Sequence, residues 1–136
     1  MEYFTFKANE RYFGVEAQFV HRVLEGMPIA RVPLVPACYL GLIYYRGDLF
    51  DVIDAANLLS SGAKSLNRKD ARIVLFKWNQ RKLALVPDEI IGLVWFDNIK
   101  GDGTVYSHNN FSVRIITPNA VWDSLLELSY GRPSKV

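Results

Sequence analysis

Short runs of apolar residues recur along the chain at the length of β-strands, and most contain β-branched or aromatic side chains. In the last of these runs Phe111, Val113 and Ile115 alternate with a serine and an arginine, as in a strand with one exposed face. The pattern predicts strands over residues 3–7, 12–16, 40–45, 49–53, 72–78, 83–86, 91–96 and 111–117. The fold class is therefore predicted to be mainly β.

Helical patterns separate these strands in three places. Residues 17–24 carry apolar side chains at helical spacing and are predicted to form a short helix. Asp54 is placed to cap a second helix over residues 55–61. Thr117 followed by Pro118 predicts an N-cap and first turn for a C-terminal helix with one apolar face.

Two pairs of segments repeat in the same order. FKANERYFGV (residues 6–15) resembles FKWNQRKLAL (76–85), and FDVIDAANLL (50–59) resembles VRIITPNAVW (113–122) with the two predicted helix caps in register. Continuing the first pair without a shift aligns two further pairs, Val20 and Val23 with Ile90 and Leu93. We interpret the chain as one domain over residues 1–136 with duplicated halves of about 3–62 and 72–130, packed as two small barrels. Chance similarity between short hydrophobic strands is the alternative.

Composition narrows the class of protein. The 136 residues are 50% hydrophobic and 13% aromatic, which is enough for one compact core. The net charge of +2 is too balanced to indicate nucleic acid by itself. A single cysteine, Cys38, cannot form an internal disulfide, and no apolar run approaches the roughly 18 residues of a membrane span. A cytoplasmic location without membrane insertion is expected.

Catalytic and metal-binding patterns are weak. The two histidines, His21 and His108, have no metal-ligand spacing, and His108 is expected in a polar turn. Cys38 could act as a nucleophile paired with either histidine, but its neighbours are typical of a small packed thiol. We predict no catalytic residue, no metal and no cofactor, with an enzyme built on Cys38 as one alternative.

A basic run could contact phosphates through Lys64, Arg68, Lys69 and Arg72. Asp70 interrupts the run, and the aromatic residues that would stack on bases lie in predicted strands elsewhere. A solvated connection is favoured, and a nucleic-acid-binding β-barrel is the alternative from another functional class.

A charged residue interrupts the apolar segment LGLIYYRGDLFDVID, residues 40–54. Arg46 is followed by Gly47, which permits a sharp turn, so Arg46 is expected at the tip of a hairpin. Its side chain could cover apolar surface with Asp48 as a partner. Alternatively Arg46 is displayed beside Tyr44 and Tyr45, a composition typical of interface hot spots.

Taken together, residues 20–59 resemble the CheW-like family of chemotaxis coupling proteins. The family pattern appears as VHRVLEGMPIARVPLVP, then GLIYYRG, then DLFDVIDAANLL. FKANERYFGVE and RKLALVPDEIIGLV extend the resemblance over residues 3–94. It implies two intertwined five-stranded β-barrel subdomains with short helices.

The resemblance also implies a function: a non-enzymatic adaptor that couples the cytoplasmic tip of a chemoreceptor to the regulatory domain of a histidine kinase, in chemotaxis or pilus-based motility. Arg46 and Gly47 would face these partners, with Tyr44 and Tyr45 in place of the family's usual Asn-Leu. An apolar groove between the subdomains would receive a receptor helical hairpin. Its expected lining is Val20, Val23, Ile90 and Leu93, with Arg22 where the family usually has an acidic residue.

Overall fold

The computed structural model describes residues 1–59, 72–96, 105–108 and 111–129. Within them are ten strands, one turn of 3-10 helix over Ala17–Phe19, and two α-helices. The strands are β1 (Glu2–Ala8), β2 (Arg11–Glu16), β3 (Val20–Glu25), β4 (Tyr39–Tyr45), β5 (Asp48–Asp54), β6 (Arg72–Trp78), β7 (Arg81–Val86), β8 (Glu89–Trp95), β9 (Val105–His108) and β10 (Phe111–Ile115). The helices are α1 (Ala55–Leu59) and α2 (Pro118–Ser129).

The strands form two five-stranded sheets. The first sheet has the order β8-β1-β2-β10-β9, and the second has the order β3-β6-β7-β5-β4. The second sheet is thus built from the middle of the chain, while the first combines the N-terminal hairpin with the last three strands. This confirms the predicted mainly β fold with two intertwined five-stranded subdomains.

The two sheets have the same topology when they are compared strand by strand. In this comparison β8 corresponds to β3, β1 to β6, β2 to β7, β10 to β5 and β9 to β4. The parallel pairs share a register: Phe13 of β2 lies opposite Arg114, and Leu83 of β7 lies opposite Asp51. The edge strands β3 and β8 also shift register at equivalent points. The repeated sequence blocks therefore occupy equivalent positions in the two sheets.

A central core joins the two sheets. Phe6 of the first sheet and Phe76 of the second are almost fully buried in one cluster with residues of both helices. Two further clusters lie within the individual sheets, one around Phe50 and one around Tyr3. Since burying a side chain of this size contributes about 1.5–3 kcal/mol, the shared cluster is what holds the subdomains together.

The predicted helix over residues 17–24 is wrong. Only Ala17–Phe19 form a helical turn, and Val20–Glu25 form strand β3 at the edge of the second sheet. Val23 pairs with Val74 of β6, and Val20 pairs with Phe76. A span of eight residues is too short for a stable helix by itself, and β-branched residues that find a sheet edge favour the strand.

Strand β9 was not predicted, and His108 is its last residue rather than part of a turn. His108 pairs with Phe111, and Val105 pairs with Arg114. The second half of the chain therefore supplies the fifth strand of the first sheet. Four residues flanked by polar segments carry too little periodicity to be recognised from sequence.

Asp54 and Thr117 cap the N-termini of α1 and α2, as predicted. The Asp54 carboxylate accepts a hydrogen bond from the backbone N–H of Ala56 at 3.2 Å. The Thr117 hydroxyl accepts one from the N–H of Ala120 at 3.1 Å. Such caps satisfy backbone donors that have no partner within the helix.

Candidate partner-binding surface

Arg46 and Gly47 form the two-residue turn of the β4–β5 hairpin. Tyr45 pairs with Asp48 across the turn. The φ angles are 49° at Arg46 and 90° at Gly47. Positive φ at both central positions is what a type I′ hairpin turn requires, and it costs a residue with a Cβ about 1–2 kcal/mol. The predicted position of Arg46 at a hairpin tip is therefore observed.

Two other hairpins show which residue such a turn prefers. The β1–β2 and β6–β7 turns also have positive φ at both central residues, and each begins with an asparagine, Asn9 or Asn79. Asparagine tolerates this conformation better than most residues. Arg46 occupies the corresponding position in the third turn, so a conformationally unfavourable residue is kept where asparagine would fit.

The Arg46 side chain is exposed and has no ion-pair partner among the described residues. Asp48, the carboxylate considered as its partner, instead pairs with Lys77 at 3.0 Å and Lys82 at 3.3 Å. Hydrogen bonds from these lysines, with Lys77 making the larger contribution and Lys82 the smaller one, hold the pKa of Asp48 below its ordinary value. The pairing therefore contributes fully to stability when the pH is above the pKa that Asp48 has in the unfolded chain. This contribution is lost as the pH falls through the lower pKa that Asp48 has in the folded chain.

Tyr45 supports the turn from the inner face of the hairpin. Its ring packs against the core cluster around Phe50, and the His21 ring meets it edge-on at 6.4 Å. The guanidinium carbon of Arg46 lies 5.3 Å from the centre of the Tyr45 ring, within the range of a cation–π contact. Arg46 therefore extends over a ring that is itself fixed by packing.

The outer face of the same hairpin carries two exposed apolar side chains. Tyr44 and Leu49 lie directly opposite each other and are 67% and 57% exposed. The equivalent pair in the first sheet is Ser107 and Ser112, both exposed and polar. Because the two pairs share one backbone environment, the apolar pair is not required by the fold. We call Tyr44, Arg46, Gly47 and Leu49 the hairpin surface.

The remaining predicted site residues lie on the two edge strands. Val20 of β3 and Ile90 of β8 are partly buried and both pack against the central core. Farther along the strands, Val23 is 42% exposed and Leu93 is 59% exposed, and Arg22 beside Val23 is also exposed. The structure thus places the four apolar residues at equivalent points of two edges. The groove between them stays a prediction.

Two exposed residues were not singled out from the sequence. Leu49 was assigned to a strand without regard to face, and only its pairing with Tyr44 shows that it points to solvent. Trp95, 66% exposed, follows Leu93 on the same side of β8. The equivalent residue of β3 is Glu25, which pairs with Arg72 at 3.6 Å. The two edges therefore differ in polarity at matched positions.

The alternatives based on chemistry gain no support. Cys38 is buried in the central core, and burial raises the pKa of its thiol, which disfavours the reactive thiolate. Among the described residues no cluster of His, Cys, Asp and Glu could hold a metal ion. Within the same part of the chain, no helix is long and apolar enough to cross a membrane. Lys64, Arg68 and Lys69 of the basic run lie outside the described residues.

Comparisons with known proteins agree with the topology. The family model described as "CheW-like domain" matches residues 2–110. The crystal structure of the scaffolding protein TtCheW from Thermoanaerobacter tengcongensis is similar, with a TM-score of 0.73 and 23% sequence identity over 85% of this chain and 87% of that chain. No curated protein matches the sequence.

Proposed function

Since this chain belongs to the CheW-like family, we propose that it is an adaptor which joins the cytoplasmic tip of a chemoreceptor to the regulatory domain of a histidine kinase. Family membership supports a scaffolding role in chemotaxis. Such a role works in the cytoplasm through reversible contacts and needs neither a catalytic residue nor a cofactor. What the adaptor needs is two separate surfaces, one for each partner.

The hairpin surface is proposed to bind the kinase regulatory domain. Two observations carry this proposal. Arginine stands in the turn where the β1–β2 and β6–β7 turns have asparagine. Tyr44 and Leu49 stand where the first sheet has two serines. Both departures cost something in an isolated protein, since one strains the backbone and the other exposes apolar area. Tyrosine and arginine beside each other are also typical of interface hot spots.

The edge strands are proposed to bind the receptor. Val23 and Leu93 project from β3 and β8, while Val20 and Ile90 anchor the same strands to the central core. A helical ligand buries its apolar stripe best against rigid apolar residues on both sides. Arg22 adds a positive charge to this region, which favours a receptor helix with an acidic residue at that level.

The substitution Arg46→Asn tests the hairpin proposal, because we expect it to weaken kinase binding while it stabilises the fold. We expect it to weaken binding of the cognate kinase regulatory domain by on the order of 2 kcal/mol, about thirtyfold, because a hot-spot guanidinium is lost. We expect it to raise the free energy of unfolding by about 0.5 kcal/mol, because asparagine suits the turn better. Isothermal titration calorimetry and urea unfolding measure the two effects.

A matched control removes the same charge elsewhere. The control is Arg72→Gln. Among the described residues Arg72, at the start of β6, makes only an exposed ion pair with Glu25. We therefore expect this substitution to change the kinase affinity by less than about twofold. Kinase binding by the Arg46→Asn variant that equals wild type would remove the hairpin tip from the interface. That result would leave the receptor proposal to be judged on the edge strands.

A further inference from the structure

The internal symmetry of the fold draws attention to a cleft on the first sheet, because the side chains around it differ from those at the equivalent place on the second sheet. The cleft has a volume of about 490 Å³ and lies where the end of α1 meets strands β2, β9 and β10. Its lining combines apolar residues with arginines: Phe13, Leu59, Val105, Phe111, Arg11 and Arg114. Glu10, Tyr12 and Ser112 complete it.

At the equivalent place on the second sheet, α2 contacts the matching arginine directly. Arg81, the counterpart of Arg11, donates a hydrogen bond to the side-chain oxygen of Asn119 at 2.6 Å. Its guanidinium also lies 5.6 Å from the centre of the Trp122 ring. The arginine on that sheet is therefore satisfied within the chain.

On the first sheet, α1 has no side chain at the matched positions that could make the corresponding hydrogen bond or ring contact with Arg11. The counterparts of Asn119 and Trp122 are Ala56 and Leu59, which offer neither an amide oxygen nor an aromatic ring. Among the described residues Arg11 has no hydrogen-bond, ion-pair or aromatic partner. The smaller Leu59 leaves the space that forms the cleft.

Arg114 is a second arginine at the cleft, and the second sheet has no arginine at the matching position. Arg114 lies opposite Phe13 in the parallel ladder, so it shares a sheet face with Arg11, two residues from Phe13 on β2. Both arginines are exposed, and Arg114 has no carboxylate partner among the described residues. At the position of Arg114 the second sheet has Asp51, which accepts a hydrogen bond from the Tyr39 hydroxyl. Glu10, the acidic residue at the cleft, pairs with Lys7 at 3.6 Å.

We propose that this cleft binds an acidic peptide segment of a partner protein, with a carboxylate held by Arg11 and Arg114 and a neighbouring apolar side chain against Leu59 and Val105. Arg11 and Arg114 line the same cleft, and an anion bound between their guanidiniums would offset their mutual repulsion. Guanidinium groups match the planar geometry of a carboxylate, and the apolar lining excludes water beside it. The cleft is on the other sheet from the hairpin surface, so this proposal does not depend on the proposed function.

Titration of the ¹⁵N-labelled full chain with two blocked pentapeptides tests the proposal. The acidic peptide has the sequence DLELD, and its neutral counterpart has the sequence NLQLN. We expect DLELD to shift amide signals of β2, β9 and β10, and we expect NLQLN to leave them unchanged. The double variant Arg11→Gln, Arg114→Gln should weaken DLELD binding at least about tenfold, because a hydrogen-bonded charge pair is lost.

Two further variants complete the design. Arg72→Gln removes one positive charge on the second sheet, outside the lining of the cleft, and should change the affinity for DLELD less than about twofold. Arg114→Asp recreates the charge pattern of the second sheet and should abolish the amide shifts. Equal shifts with both peptides, unchanged binding by the double variant, or no shift on β2, β9 and β10 would each overturn the proposal. The last outcome would mean that another part of this chain already fills the cleft.

Discussion

We expect Gly41→Ala to lower the free energy of unfolding by about 3–5 kcal/mol. A Cβ at this position would lie 2.2 Å from the carbonyl oxygen of Ala30 and 2.8 Å from the side chain of Ile29. The φ angle of 144° adds strain for any residue other than glycine. Backbone strain of about 1–3 kcal/mol and overpacking of about 1–3 kcal/mol combine here.

The position matters because it ties the long proline-containing loop to β4. Ala30 and Leu42 exchange two backbone hydrogen bonds of 2.8 Å beside Gly41, and an added methyl group would push these strands apart. Urea unfolding followed by tryptophan fluorescence measures the loss. Gly92→Ala is the matched control, since its φ is 128° but no atom lies within 4 Å of the added Cβ. Similar losses in the two variants would show that φ alone, and not the contact with Ala30, sets the cost.

The second large effect is expected on binding. The double variant Tyr44→Ser, Leu49→Ser gives the hairpin the serine pair that the first sheet has at these positions. We expect it to weaken binding of the kinase regulatory domain by about 3 kcal/mol, more than a hundredfold, because two apolar anchors are removed together. Stability should change by less than about 0.5 kcal/mol, since both side chains are mostly exposed.

Leu34→Ser is the control for this double variant. Leu34 is a fully exposed leucine in the loop between β3 and β4, so its replacement removes apolar surface of the same kind at another place. Surface plasmon resonance of the variants over an immobilised kinase domain gives the comparison. If the double variant and the control lose affinity equally, the hairpin surface has no special part in binding.

Much of the fold follows from local patterns. Residues 72–78 contain a continuous apolar run rich in β-branched and aromatic side chains, and they form β6 over those same residues. The repeated blocks indicated which strands would be equivalent, and the registers of Phe13 with Arg114 and Leu83 with Asp51 agree with that alignment. The helix predicted over residues 17–24 failed because pairing with β6, far away in sequence, decides the conformation there.

The candidate site was predictable only in part. Gly47 signalled a turn, and a turn places Arg46 at a tip. The sequence did not show that Asp48 would be taken by Lys77, which lies 29 residues away and reaches it through the sheet. Nor could it show that Leu49 is exposed, because an apolar residue in a strand has the same identity on either face. The cleft at Arg11 and Arg114 depends on a parallel pairing of β2 with β10, which no local pattern reveals.

The proposed adaptor function requires two separate surfaces, one for each partner. Its most direct test is the affinity of the kinase regulatory domain for this chain, measured with and without a saturating receptor-tip fragment. We expect affinities equal within about twofold and a ternary complex that sediments as one species. Displacement of the kinase domain by the receptor fragment would contradict it, since both partners would then compete for one surface.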